Sequence, residues 1–126
     1  MKTCEYNVLV LAYLGDTIYE NYVRKYLVNR FFSNVNEIQK ESIKYVSAKS
    51  QAANVKRMFE SNFLSDDEIE IYKRGRNYKT TSHPKNTDIV TYKMATGLES
   101  LIGYLEIDGK RERIDEIMDF IFENIK

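Results

Sequence analysis

Only one proline, Pro84, and five glycines interrupt this 126-residue chain. Apolar residues along it recur mostly at spacings of three and four rather than two, the period of a helix with one buried face. With so few breakers the chain has little with which to build turns between short strands, so an all-α fold is expected. The first helix is read from about Glu5 to Phe31 and the second from about Asn36 to Phe59. A shorter third helix starts after Ser65, where Ser65 and Glu68 form a capping box and Leu64 and Ile69 are spaced as a hydrophobic staple. In HPKNTD, Asn86 or Thr87 is read as the next N-cap, with Asp88 in the first turn where the helix dipole favours an acid. That helix runs to Asp108-Gly109, a natural stop. The last segment lines up Ile114, Ile117, Met118, Ile121 and Ile125 as the stripe of an amphipathic closing helix. Residues 1–126 are expected to form a single domain.

The bulk numbers remove several classes of function. Hydrophobic residues make up 43% of the chain and charged residues 30%, and no apolar run reaches the ~20 residues of a membrane helix. The opening MKTCEYNVLV lacks the pattern of an export signal. A lone cysteine, Cys4, cannot close an internal disulfide, and with one histidine it cannot supply an ordinary structural zinc site. A reducing, cytoplasmic setting is expected. Net charge is zero, so the molecule is no general polycation. Yet KRGRNYKTTSHPK, Lys73 to Lys85, carries Lys73, Arg74, Arg76, Lys79 and Lys85 without one acid.

The stretch LAYLGDTIYE sets a sharper problem. Gly15 costs roughly 1 kcal/mol against alanine inside a helix, and Asp16 on an apolar face costs more unless its charge is offset. Ala12, Tyr13, Tyr19 and Glu20, its neighbours one turn away, include no cation. Glu99 in ATGLESLIGYL repeats the pattern, with Gly97 and Gly103 close by and no base one turn away. Two such acids beside small residues suggest helices that meet and aim carboxylates at one spot, where a hard divalent ion, Mg²⁺ or Mn²⁺, would offset their repulsion. The plainer reading has Gly15-Asp16 ending one helix and capping another, and Glu99 reaching solvent or an arginine elsewhere. Spacing leaves both open.

YLGDTIYE and TGLESLIGYL resemble the two signature segments of the ribonuclease III nuclease domain. YVSAKSQA at Tyr45 to Ala52, KRGRNYK at Lys73 to Lys79 and PKNTD at Pro84 to Asp88 resemble segments of the family's compact branch, Mini-ribonuclease III, which lacks the double-stranded RNA-binding domain. The resemblance implies a ribonuclease III-like all-helical endonuclease, homodimeric and Mg²⁺-dependent with Mn²⁺ as an alternative, that cuts double-stranded RNA to 5′-phosphate and 3′-hydroxyl ends. Asp16 and Glu99 correspond to the signature aspartate and the late signature glutamate, both catalytic metal ligands. Ala12 and Thr96 stand where larger members usually carry two further acids, which bears on how many ions bind. Glu20 is a candidate supporting acid one turn beyond Asp16. Lys79 and Lys85, with Arg74, Arg76 and Lys49, are the expected RNA-backbone contacts, because A-form duplexes are read mostly by shape and charge. The competing role for Arg74 and Arg76 is to tether helix ends. His83 is expected as a loop residue or phosphate contact, and Tyr13, Tyr19 and Tyr22 as core and interface. Family likeness points to maturation of a large-subunit ribosomal RNA precursor, with a ribosomal protein as a further partner and no membrane. The alternative is a non-catalytic, ribosome-associated RNA-binding protein of the same fold, which would have no use for Asp16 and Glu99.

Overall fold

The structure, a computed structural model, describes residues 6–30, 34–79 and 83–125. Six helices occur among them: α1 Val8–Val28, α2 Val35–Val46, α3 Ala48–Glu60, α4 Asp66–Arg76, α5 Ile89–Ile107 and α6 Arg111–Asn124. Cys4, and the expected ends of the first helix at Glu5 and Phe31, lie outside the described residues. One cluster of buried side chains joins α1, α3, α5 and α6, with Tyr19, Met58, Leu98, Leu101, Ile102, Ile114, Ile117 and Met118 almost completely shielded.

Helix ends follow local chemistry. Asn7 caps α1 by accepting the Leu9 N–H at 2.8 Å. The Ser65–Glu68 capping box forms in both directions, with the Ser65 N–H donating to Glu68 at 2.9 Å and the Glu68 N–H donating to Ser65 at 3.2 Å. Buried Leu64 and half-buried Ile69 both pack into the core. Gly109 ends the α5 turn at φ +74°, in the left-handed region that glycine enters without steric cost.

Two expected boundaries differ. The helix read continuously from Asn36 to Phe59 is two helices, because Ser47 adopts extended backbone (φ −63°, ψ 150°) and its hydroxyl accepts the Ser50 N–H at 3.1 Å. A serine side chain that competes with the backbone for N–H groups favours an N-cap over a helix interior. At α5 the N-cap is Asp88 rather than Asn86 or Thr87. Its two carboxylate oxygens accept the Thr91 N–H at 2.9 Å and the Thr91 hydroxyl at 2.7 Å, which holds the carboxyl below the usual range. An ionised acid accepts these bonds more strongly than an amide or a hydroxyl and also favours the helix dipole.

The α1/α5 crossing positions the candidate site. A Cβ on Gly15 would lie 1.8 Å from the Glu99 carbonyl oxygen, and one on Gly103 would lie 1.9 Å from that of Leu11. The helices therefore touch backbone to backbone, with one glycine on each side, which the helix-propensity cost of Gly15 permits. A second crossing joins α4 to α5, where Gly75 meets Ser100 and Gly97 meets the Tyr72 ring.

Candidate active site

At the α1/α5 crossing the two acids singled out from the sequence converge. Helix α1 runs unbroken through Gly15-Asp16, so the reading in which that pair separates two helices does not hold. Asp16 projects at the exposed edge of the crossing, while Glu99 is half-buried beside it. Burial raises the Glu99 pKa first, followed by the charge of Asp16 and a hydrogen bond with it, and together with Glu20 these push it up to about 8 despite the opposing Gln51 amide. A pKa raised that far favours the protonated form of Glu99 near neutral pH, beside the Asp16 carboxyl. The largest influences on this balance are burial, Asp16, Gln51 and Glu20, in that order.

Glu20, one turn along α1, raises the Glu99 pKa through its charge and stands 4.0 Å from Arg24 in an exposed ion pair. The wall opposite comes from α3. Gln51, 2% exposed, donates from Nε2 to the Val46 carbonyl at 3.1 Å and to Glu99 Oε2 at 3.4 Å. Its Oε1 is buried without a hydrogen-bond partner. Beneath the site the Tyr19 hydroxyl donates to the Tyr45 carbonyl at 2.6 Å, and burial pushes that phenol above its ordinary range. Sequence reasoning did not single out Gln51. Its position at helical spacing with the buried Val55 and Met58 is the one available signal, and it is weak because Asn54 is a second polar residue on the same buried face.

Among the described residues no group of three or more histidine, cysteine, aspartate or glutamate side chains is arranged to hold a metal. What the site offers is one carboxylate pair, with Glu20 one helical turn away. Oxygen donors of this kind suit a hard cation that keeps most of its own water, and an unpaired amide oxygen suits the water.

The basic stretch divides into two parts. Lys73, Arg74 and Arg76 form the last turn of α4, where cations favour the helix dipole, and so do not lie in a loop as expected. Arg76 is half-buried, with its guanidinium 5.7 Å from the Tyr72 ring centroid and its Nε donating to Asn77 at 3.0 Å. Arg74 reaches the Tyr6 carbonyl at 3.4 Å. Arg74 thus links the end of α4 to the segment before α1, whereas the contacts of Arg76 stay at the end of its own helix. Lys79, His83 and Lys85 are exposed on either side of residues 80–82, and Lys49 is exposed on α3. Of the tyrosines, Tyr19 is fully buried, Tyr22 is half-buried and donates to Asp115, and Tyr13 is 81% exposed one turn before Asp16.

The family model of the Ribonuclease III domain matches residues 9–110, a span that contains both acids and the whole α1/α5 crossing. The chain belongs to the ribonuclease III family. As a member it is an endoribonuclease. It is 42% identical to Mini-ribonuclease 3 of Enterococcus faecalis, over 94% of this chain and 90% of that one. It is 41% identical to Mini-ribonuclease 3 of Staphylococcus aureus, over 91% of this chain and 86% of that one. A crystal structure of a Fusobacterium nucleatum protein superposes with a TM-score of 0.86 at 34% identity and covers 98% of both chains. No described helix is long and apolar enough to cross a membrane.

Proposed function

We propose that the chain is a Mg²⁺-dependent endonuclease specific for double-stranded RNA, with Asp16 and Glu99 as the catalytic metal ligands. The observation that carries this reading is the meeting of two carboxyls across a glycine-lined helix crossing, where burial and the charge of Asp16 bear most on Glu99. Asp16 faces solvent and can receive a cation at once, whereas Glu99 must first release its proton. A bound Mg²⁺ or Mn²⁺ would activate water for in-line attack on the scissile phosphate and offset charge on the leaving 3′ oxygen. Glu99 is fixed in direction by Gln51 and by its own tightly packed helix, so little reorganisation precedes the reaction. Products carry 5′-phosphate and 3′-hydroxyl ends.

One chain supplies one carboxyl pair, so cutting both strands of a duplex calls for two chains about a two-fold axis. Leu9, Val10 and Tyr13 leave an apolar face on α1 exposed beside Asp16, which supports that helix as the homodimer contact. Lys79 and Lys85, with Lys49, contribute phosphate contacts, and Arg74 and Arg76 add positive charge behind them. The names of the relatives agree with a role in maturing a large-subunit ribosomal RNA precursor in the cytoplasm, with a ribosomal protein as a further partner. A non-catalytic RNA-binding role would leave the acid pair unexplained, since carboxylates repel phosphate.

The test incubates wild type, Asp16→Asn and Glu99→Gln with a structured RNA duplex, with and without Mg²⁺, and analyses the ends. Cleavage by wild type that needs Mg²⁺ and is abolished in both variants is expected. Variants that cut as well as wild type would remove these residues from the reaction.

A further inference from the structure

Gln51 is the one neutral side chain that hydrogen-bonds to Glu99 among the described residues, and only the N–H₂ end of its amide has a partner. We propose that it is a positioning residue of the cation site, holding the Glu99 carboxylate by its N–H₂ and presenting Oε1 to the water shell of the bound ion. The proposal rests on Asp16 and Glu99 being the cation's ligands.

Three observations carry it. First, Gln51 Nε2 donates to the Val46 carbonyl at 3.1 Å and to Glu99 Oε2 at 3.4 Å, so both N–H bonds aim at acceptors. The reversed amide would set Oε1 against the Val46 carbonyl, which can only accept, so that partner fixes which way it points. Second, the carbonyl end of that planar amide is buried and unpaired, on a residue only 2% exposed. Leaving a buried acceptor unsatisfied is costly, and such an atom calls for a partner. It belongs to the same amide group that touches Glu99, which places it next to the carboxyl pair. Third, the ion expected there keeps several waters, and these are donors. Partners of this outer kind orient metal ligands, and removing one typically weakens affinity by about 10–100-fold.

The Ser47 break brings this side chain into place. Ser47 ends α2 and caps α3, and Gln51 follows one turn into α3, reaching back to Val46 at the end of α2 and across to α5. Glu99 is thereby tied to the α2/α3 corner as well as to α1.

The experiment measures Mn²⁺ binding to RNA-free protein by electron paramagnetic resonance, together with thermal unfolding with and without Mn²⁺. Gln51→Met keeps the length of the side chain and removes both polar contacts, and its Mn²⁺ affinity should fall about tenfold or more. A lower melting temperature with unchanged Mn²⁺ affinity would show that Gln51 only supports the fold, and would overturn the proposal. Gln51→Glu covers the case in which the methionine variant does not fold. It sets a third acid against the pair, so Mn²⁺ should raise its melting temperature by more than it raises that of wild type. An equal rise would place the side chain away from the ion and would likewise overturn the proposal. Asp16→Asn in the same assay keeps the two readings apart. If it binds Mn²⁺ like wild type, the ligand assignment itself fails, whereas loss of binding there with no effect at Gln51 refutes only the role of Gln51.

Discussion

The α1/α5 crossing and the basic stretch from Lys73 to Lys85 hold the two charge patterns of interest, and they are built on opposite principles. At the crossing, two helices touch through Gly15 and Gly103 and fix two acids against each other at the edge of the core. In the basic stretch, Lys79 and Lys85 are exposed on either side of residues 80–82, with no packing to hold them. Charge that must act at one reacting phosphate needs a rigid frame, whereas charge that attracts a polyanion needs only to be present on the surface. Replacing one crossing residue should therefore be severe, and replacing one lysine mild.

The sharpest contrast lies in cleavage. Asp16→Asn and Glu99→Gln should each lower the rate of duplex cleavage by at least about a hundredfold, the scale on which one electrostatic stabiliser counts. Single-turnover assays at saturating RNA would measure this, and reductions below about threefold would contradict an electrostatic role of that size. Next comes the frame itself. Gly15→Ala must push a methyl group into the Glu99 backbone, which neither helix can yield without moving the site. It should destabilise the fold by about 3 kcal/mol, the upper end for overpacked cores, and lower the melting temperature by roughly 10 °C or more. An unchanged melting temperature would mean that the helices do not cross so closely.

A smaller effect follows from the raised pKa of Glu99. The folded chain raises Glu99 from an ordinary 4.5 to about 8, chiefly by burial and then by Asp16, with Glu20 adding to the shift and Gln51 opposing it. Between those values the folded state holds a proton that the unfolded chain has released. The metal-free protein is thus favoured at the acid end of that window and loses stability as pH rises through about 8. Thermal unfolding in chelator should show a lower melting temperature at about pH 8.5 than at about pH 6, and Mg²⁺ should narrow the gap because its binding expels the proton. A melting temperature independent of pH would argue against that raised pKa. Mildest of all, Lys79→Ala with Lys85→Ala should weaken duplex binding severalfold and reduce the slope of log affinity against log salt by about 1–2, roughly one for each phosphate no longer neutralised. An unaltered slope would take both lysines off the RNA surface.

Much of the fold is legible in the order of residues. The closing helix buries Ile114, Ile117, Met118 and Ile121 as its period requires, and the Ser65–Glu68 box forms, because both are decided within a few neighbouring residues. Asp16 and Glu99 stand out because each is an acid in an apolar segment without a cation one turn away. The break at Ser47 is hidden because the apolar period continues across it and a serine is tolerated within helices. Capping by Asp88 is hard to tell from capping by Asn86 or Thr87 because all three residue types cap well. Gln51 escapes notice because nothing local distinguishes a glutamine facing water from one facing a buried acid. The contact of Arg74 is hidden for a similar reason, since Tyr6 lies 68 residues away and meets it only through packing, whereas Arg76 lies over Tyr72 one turn earlier on α4.

The sequence alone determined the helical class, the Ser65–Glu68 cap, the stop at Asp108-Gly109 and the two acids that have no local counter-charge, since each follows from backbone propensity and spacing within one or two turns. Only the tertiary structure decided that burial and Asp16 raise the pKa of Glu99, that two glycines let their helices touch, and that a glutamine 48 residues from Glu99 turns toward it. Carboxyl pKa values and amide orientation depend on distances across the fold, and no local pattern encodes a distance between elements so far apart in the chain.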